Sequence, residues 1–255
     1  MQEHSAVTPG RILQKPKLIQ TYKHRRKFMN TGIILDYLTG LAGNNNREWY
    51  HAHKKEYQEA NEEFIALVQE LIWRIGEKDG SVLHNDPKNL TFKLNRDTRF
   101  SHDKSPYNPA FRAHISSGGK LPVPVGYYLM IKPDGQSFLG GGLFADMFKD
   151  ATEMVRNYIV QHPDEWGQVL QAPDFRDTFE VQGTALKNVP AGYDREHPQA
   201  EYLKFKSWYL EYLVSDAVVR NTEDFLDFAV DIFLKMRPFN DFLNRALAGF
   251  QMPER

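Results

Sequence analysis

The sequence has 255 residues, with 41% hydrophobic and 25% charged residues and a formal net charge of −1, and these values are ordinary for a globular protein of one or two domains. Because it contains no cysteine, disulfides, zinc–thiolate sites, iron–sulfur clusters and thiolate nucleophiles are excluded. No apolar run approaches the roughly 18 to 20 residues that span a bilayer, and residues 1–30 lack the apolar stretch of a secretory signal. We therefore expect a cytoplasmic protein that does not bind membranes.

Charge is distributed unevenly along the chain. Residues 1–28 contain seven basic residues against one acidic residue, which leaves this segment at +6 and residues 29–255 at −7. The charged residues of the segment are Arg11, Lys15, Lys17, Lys23, Arg25, Arg26, Lys27 and Glu3. We predict that residues 1–28 are a basic, flexible extension and that residues 29–255 form one domain. Nucleic acid is an expected partner only through this basic arm.

Helices are predicted for the first part of the domain. Apolar residues recur at helical spacing over 32–42, which predicts a short amphipathic helix. Asn46 is a plausible N-cap for a longer helix, on which four aromatic or imidazole side chains share one face: Trp49, Tyr50, His53 and Tyr57. Asn61 is predicted to cap a further helical segment with an apolar stripe, which ends at 78–80.

The middle of the sequence predicts β-strands. Polar and apolar residues alternate over 90–95 and 110–116, and 126–131 is almost entirely apolar. The turn Pro133-Asp134-Gly135 leads into a further strand at 137–139. These features predict three or four mostly antiparallel strands.

Helices resume after the strands. One helix is predicted to start at Asp146 and a second at Pro163. A short helix is predicted at 198–203 and a strand at 208–213. A helix over 222–236 is predicted to be broken by Pro238 and followed by a last helix at 239–250. Strands clustered between helical ends predict an α+β fold, with one mostly antiparallel sheet of 3–5 strands packed against N-terminal and C-terminal helices.

Four motifs occur in order along the chain. They are Asn45-Asn46-Arg47-Glu48-Trp49-Tyr50 with Lys54 and Tyr57; Arg96 to Tyr107; Gly126-Tyr127-Tyr128 with Gly140-Gly141-Gly142; and Leu186 to Tyr193 with His197-Pro198. Together they resemble the domain-of-unknown-function 2461 family, a group of bacterial and fungal conserved hypothetical proteins. The resemblance covers about 33–247 and implies a fold and a domain extent, but it supplies no mechanism. Asn108 and Asn188 stand where the family pattern has basic residues, which weakens an anion site at those two positions.

The segment from Arg96 to Tyr107 contains the densest group of reactive side chains. Guanidinium and ammonium groups bind phosphate and carboxylate, and loops that follow strands commonly carry binding sites. We therefore predict an anion pocket, whose candidate residues are Arg96, Asp97, Arg99, Asp103, Lys104 and Tyr107, with Arg47 and Lys54 facing it and Tyr193 and His197 nearby. The alternative interpretation is an ion-pair network in which the two aspartates neutralise the arginines and fix the loop.

Two other patterns favour structural roles. Residues 140–145 fit a loose dinucleotide-binding pattern, but the required βαβ context is missing, so close backbone packing is the better interpretation. His162, Asp164 and His197 have the residue types of an iron triad, although the proline between the first two predicts a helix start. We expect no cofactor and no tightly bound metal, and we expect most aromatic side chains to lie in the core.

The sequence does not specify a reaction or an oligomeric state. The leading hypothesis is a cytosolic protein that binds a small phosphorylated or carboxylated ligand in a basic pocket, with catalysis left open. The alternative is a non-catalytic module that contacts protein or nucleic acid through the basic arm and an aromatic surface. A concave basic pocket would favour the first, and an exposed apolar patch would favour the second.

Overall fold

The computed structural model describes residues 29–253, so the predicted basic arm at 1–28 lies outside the described residues. The helices are α1 (Thr31–Gly43), α2 (Arg47–Ala52), α3 (Lys54–Gly76), α4 (Pro87–Leu90), α5 (Lys149–Gln161), α6 (Pro163–Gln171), α7 (Pro173–Arg176), α8 (Ala200–Leu203), α9 (Asp216–Arg220) and α10 (Thr222–Ala246), with a 3₁₀ turn at Gly80–Val82. The strands are β1 (Phe111–Ile115), β2 (Tyr127–Ile131), β3 (Ser137–Leu143) and β4 (Trp208–Val214).

The four strands form one antiparallel sheet in the order β1-β2-β3-β4. β2 and β3 are joined by the predicted turn, in which Asp134 and Gly135 have φ of 64° and 69°. The backbone N–H groups of these two residues each donate a 3.0 Å hydrogen bond to the carboxylate of Asp216, at the start of α9. One antiparallel sheet combined with helices confirms the predicted α+β class.

The long helices cover one face of the sheet. α10 packs on β3 and on α3, and α3 also contacts α1 and β1. Side chains at alternate strand positions, such as Tyr127 and Leu210, point into this core and are buried. Burial at alternate positions follows from the two-residue period of a strand, so the intervening side chains lie on the opposite face.

Helix starts follow the predicted capping chemistry at two places. The Asn46 side chain accepts a 2.8 Å hydrogen bond from the N–H of Trp49, which confirms Asn46 as the N-cap of α2. Pro163 is the first residue of α6, also as predicted. The prediction of a cap at Asn61 is wrong, because α3 runs without interruption through that residue and the break lies at His53. The apolar stripe continues in register through Ala60 and Phe64, so burial favours one helix there.

Two further predictions are corrected by packing. The segment 90–95 is not a strand: Leu90 ends α4, and only single bridges pair Thr91 with Ala113 and Asn95 with Tyr107. Pro238 does not end the last helix, since α10 continues through it. A proline inside a helix costs about 3 kcal/mol or more, through the lost N–H and the clash of its ring with the preceding turn, and the buried aromatic and apolar residues on both sides of Pro238 offset this cost.

The glycine run lies inside β3 and does not precede a helix. A Cβ atom on Gly141 would come within 3.0 Å of Met236 Sδ and 3.1 Å of Asn240 Oδ1 in α10. The absence of side chains therefore lets α10 approach the sheet closely, which confirms the packing interpretation of the run. Within the described part of the chain, no helix is both long and apolar enough to cross a membrane.

Candidate functional site

The loop from Arg96 to Tyr107 is closed at its base by backbone hydrogen bonds. The N–H of Arg96 donates to the carbonyl of Pro106 at 2.9 Å, and the N–H of Asn108 donates to that of Leu94 at 2.7 Å. The Asn45 side chain bonds both backbone groups of Tyr107, at 2.9 and 3.1 Å. The loop is thereby fixed against the turn that precedes α2.

The cations of this loop all have partners inside it. Arg96 pairs with Asp103, Arg99 pairs with Asp97 at 2.6 Å, and Lys104 Nζ donates to the Thr98 carbonyl at 3.0 Å. The pKa of Asp97 is lowered, chiefly by its hydrogen bonds from the Arg99 side chain. The pKa of Asp103 is also lowered, first by Ser105 and then by Arg96. An anion bound here would have to compete with these two carboxylates.

The predicted site residues outside the loop do not contact it. Among the described residues, no hydrogen bond or ion pair joins Arg47, Lys54, Tyr193 or His197 to the loop. Arg47 and Lys54 are exposed at the starts of α2 and α3. The Tyr193 hydroxyl donates to Asn157 Oδ1 at 2.9 Å, and His197 Nδ1 accepts from the N–H of Gln199 at 3.0 Å. Tyr107 is buried, and its ring stacks on that of Tyr50 at 4.4 Å between centroids. Tyr107 is therefore part of the core, and the anion site stays a prediction.

A different cleft lies between α1, α2 and α3. It has a volume of about 270 Å³. Its walls combine aromatic rings and carboxylates, and the lining residues are Ile33, Asp36, Tyr37, Trp49, His53, Glu56 and Glu59. We refer to it as the α1–α3 cleft.

Three rings form the aromatic wall of the cleft. Trp49 and His53 stack with centroids 4.0 Å apart, and Tyr37 lies 5.8 Å from Trp49. The His53 ring contacts the Trp49 carbonyl at 2.8 Å through Nδ1. Because a carbonyl can only accept, Nδ1 carries the proton, and Nε2 is the atom left to meet a ligand. Burial raises the pKa of the Tyr37 hydroxyl, so Tyr37 stays neutral.

The charges in the cleft are predominantly negative. Asp36 accepts a 2.7 Å hydrogen bond from Arg220 and is thereby neutralised. Glu56 and Glu59 are exposed, and neither forms an ion pair among the described residues. Two free carboxylates beside three rings attract cations, because the face of an aromatic ring is also electronegative.

The family assignment rests on a match that covers most of the chain. The profile described as "Conserved hypothetical protein (DUF2461)" matches residues 33–242. The chain belongs to this family. The match confirms the resemblance seen in the four motifs, and it carries no activity with it. No curated protein and no solved structure is significantly similar to the chain.

Metal ligands do not gather anywhere in the described region. No group of three or more histidine, aspartate or glutamate side chains between 29 and 253 has the geometry to hold a metal ion. The His162 ring lies against Tyr158 with centroids 4.2 Å apart, and His197 Nδ1 accepts from the N–H of Gln199.

The α1–α3 cleft was missed at the sequence level for an identifiable reason. The sequence predicts Trp49 and His53 on one face of a single helix and assigns Trp49 to the core, whereas α2 ends at Ala52 and His53 lies at its junction with α3. The useful signal is the spacing of Trp49, His53, Glu56 and Glu59 at three or four residues. In one continuous helix such spacing puts side chains on one face; here Trp49 lies on α2, Glu56 and Glu59 lie on α3, and His53 joins the two helices.

Proposed function

We propose that this protein is a ligand-binding protein whose α1–α3 cleft takes a small organic cation with an ammonium head group. The observation that supports the proposal is the combination of the stacked Trp49 and His53 rings with the free carboxylates of Glu56 and Glu59. No reaction is assigned to the cleft.

The ligand charge follows from the electrostatics of the walls. An ammonium group above a tryptophan or tyrosine ring gains about 0.5–1 kcal/mol at an exposed site and about 2 kcal/mol when it is desolvated. Glu56 and Glu59 add Coulomb attraction, whereas Asp36 adds little because Arg220 already neutralises it. An anion in the same place would meet two unpaired carboxylates and the negative faces of the rings.

The ligand size follows from the volume of the cleft. Clefts for drug-sized ligands usually enclose about 300–1,000 Å³, so 270 Å³ fits a smaller molecule. Choline and tetramethylammonium have suitable size and charge. They are the probes for a test, and the natural ligand is defined here only as an alkylated or primary ammonium compound.

A pair of isosteres tests the charge directly. Choline and 3,3-dimethylbutan-1-ol have nearly the same shape, but only choline is charged. Binding is measured by calorimetry and by the rise in melting temperature, since a ligand of the native state stabilises it by mass action. We expect binding of choline and no binding of the neutral alcohol. Equal effects from both compounds would show that the cleft is merely apolar and would contradict the proposal.

Variants localise the binding. The double substitution Glu56→Gln with Glu59→Gln, and separately Trp49→Leu, should each weaken choline binding by roughly tenfold or more. The matched control is Glu77→Gln, an exposed glutamate that follows α3 and lies about 30 Å along the helix axis from Glu56. Melting temperatures without ligand identify any variant that fails to fold. Choline binding that survives both cleft variants would place the site elsewhere.

The predicted anion site in the loop from Arg96 to Tyr107 is a second proposal. It is supported by a surplus of positive charge, because three cations face two carboxylates, and by the exposure of Arg99, whose side chain is 77% accessible. Its ligand would be a small phosphate or carboxylate that displaces Asp97 from Arg99. The observations favour the cation proposal, since the cleft carboxylates are free whereas the loop cations are paired.

A further inference from the structure

The basic arm, residues 1–28, joins the domain at one end of the α1–α3 cleft. The N–H of Asn30, the N-cap of α1, donates a 2.8 Å hydrogen bond to a carboxylate oxygen of Glu63 on α3. Met29, the residue before it, is half-buried and packs against the core. Ile33 lies one helical turn after Asn30 and already lines the cleft. The point where the arm is attached is therefore fixed beside the cleft.

Carboxylates follow α3 from this point into the cleft. They are Glu56, Glu59, Glu62 and Glu63. Glu56 and Glu59 line the cleft, and we call them the cleft glutamates. Burial is the main reason that the pKa of Glu63 is raised, and the like charges of Glu59 and Glu62 raise it further. No lysine or arginine in the described part of the chain forms an ion pair with the cleft glutamates. A cation bound beside these carboxylates would relieve their mutual repulsion.

The basic arm has cations within reach of the cleft. Residues 25–27 are two arginines and a lysine, and this run ends three residues before Asn30, whereas Lys23 lies seven residues before Asn30. Seven extended residues span at most about 25 Å. Glu56 lies only about 10 Å from Glu63 along the axis of α3. The chain is therefore long enough to turn back over α1 and bring these side chains to the cleft.

We infer that the basic arm is an internal ligand of the α1–α3 cleft. A lysine or arginine side chain from residues 23–27 lies against the Trp49 and His53 rings, with its charge beside the cleft glutamates. Both side chains suit such a site, since ammonium and guanidinium groups bind the faces of aromatic rings and pair with carboxylates. The inference rests on the proposed function, because the arm takes the place of the free ammonium ligand.

Charge and tethering favour this occupant. The basic arm carries +6 and residues 29–255 carry −7, so the two parts of the chain attract each other. Because the arm is attached beside the cleft, its effective concentration there is on the order of millimolar. A cationic segment of another protein with the same intrinsic affinity would have to exceed that concentration to displace it. A free cation meets the same competition, so the arm lowers the apparent affinity of the cleft for small ligands.

Zero-length cross-linking of the full chain tests the contact. A carbodiimide joins a lysine nitrogen to a carboxylate only where the two groups touch, and mass mapping of the peptides identifies the pair. We expect Lys23 and Lys27 to form amide links with the cleft glutamates, and an excess of choline should reduce the yield. Glu77→Gln, outside the cleft, is the control and should leave the links unchanged. Links from both lysines to other carboxylates alone would overturn the inference.

A mixture of isotope-labelled and unlabelled chains shows whether one chain supplies both ends of each link. If the arm binds the cleft of its own chain, every cross-linked peptide pair carries one kind of label. Pairs of mixed label would place the arm of a second copy in the cleft and would overturn the inference.

Charge reversal in the arm tests its competition with a free cation. Two triple variants of the full chain are compared: Arg25→Glu with Arg26→Glu and Lys27→Glu, close to the cleft, and Arg11→Glu with Lys15→Glu and Lys17→Glu, farther along the arm. The first variant removes the occupant, so it should bind choline roughly tenfold more tightly than wild type. The second is the matched control, and its dissociation constant should differ from that of wild type by less than about threefold. Calorimetry measures both, and melting temperatures show whether each variant folds. A choline affinity that is the same in the first variant as in wild type would contradict the competition.

The inference and the proposed function fail in different ways. Choline binding by wild type without any link between the arm and the cleft would overturn the inference and leave the proposed function standing. Links to the cleft glutamates without choline binding, in wild type and in the first triple variant alike, would support the inference and contradict a site for free small cations. The absence of both would overturn both proposals.

Discussion

The hydroxyl group of Tyr127, in β2, donates a hydrogen bond of 3.0 Å to the carboxylate of Asp79, which follows α3. The same carboxylate accepts from the backbone N–H and the hydroxyl group of Ser81, at 3.2 and 2.6 Å. One side chain thus caps the 3₁₀ turn and joins it to the sheet. Burial is the main reason that the pKa of Tyr127 is raised, and the nearby charge of Asp79 adds to it.

Removing the acceptor, Asp79, should lower the free energy of unfolding more than removing the donor, the Tyr127 hydroxyl. Asp79→Ala leaves the Tyr127 hydroxyl buried without a partner and uncaps the turn, so we expect a loss of about 1–3 kcal/mol in the free energy of unfolding. Tyr127→Phe removes only the donor and should cost about 1 kcal/mol. Urea denaturation of both variants and of the double variant measures the difference. Equal losses in the two single variants would contradict the asymmetry.

His114 should make the protein sensitive to mild acid. Burial lowers its pKa to about 4, against about 6.5 in an unfolded chain. Because the unfolded state then binds more protons, the stabilisation is complete above about pH 6.5 and is lost as the pH falls towards about 4. The loss should reach about 3 kcal/mol. Denaturation of His114→Gln at a series of pH values should show a shallower slope in this window. The exposed His84→Gln serves as the control and should behave like wild type.

Gly142 should tolerate no side chain. Its φ of +90° is unfavourable for other residues, and a Cβ atom there would lie 2.4 Å from the Trp208 carbonyl oxygen and 2.7 Å from the Phe239 ring. We expect Gly142→Ala to cost at least about 2 kcal/mol more than Gly135→Ala. Gly135 is the matched comparison, since its φ is +69° and no described atom lies within 4 Å of the Cβ position. Thermal melting of the two variants measures the difference. Similar melting temperatures would contradict the close approach of Gly142 to Trp208 and Phe239.

Arg99→Ala separates the two interpretations of the charged loop. The Arg99–Asp97 pair is fully exposed to solvent, and such pairs contribute little to stability, so the variant should melt at the wild-type temperature. If the loop binds anions, phosphate or sulfate should raise the melting temperature of wild type more than that of the variant at matched ionic strength. An identical response of both proteins to these anions would remove Arg99 from any site.

The periodic patterns of apolar residues predicted the fold well at positions where the apolar side chains are buried in the structure. The stripes of α1 and α3, the strands β1 to β3 and the Asp134-Gly135 turn were predictable because local pattern and tertiary packing agree. The segment 90–95 has the alternation of a strand, but Asp86 and Pro87 start a helical turn that ends at Leu90, and the chain then meets β1 at a single bridge. Alternation alone does not reveal whether a neighbouring strand is within reach.

The candidate sites were harder to predict. Arg96 and Arg99 are conspicuous in the sequence. Whether Asp103 and Asp97, seven and two residues away, neutralise them depends on the distances between the side chains in the folded loop. The α1–α3 cleft depends on how α1 lies against α2 and α3, and no local pattern in Trp49 or Glu56 encodes that arrangement.

The position of β4 in the sheet has a consequence for folding. Residues 144–207 separate it from β3, its only strand neighbour among the described residues, whereas β1, β2 and β3 follow one another closely. Loop closure costs more for the distant pair, and contacts of large sequence separation slow folding. During synthesis the β1–β3 meander can form early, and α3 is already present to pack on β1, but α10, which packs on β3, leaves the ribosome last. In that interval a chaperone, or the meander of another nascent chain, has access to residues such as Leu129 and Leu139.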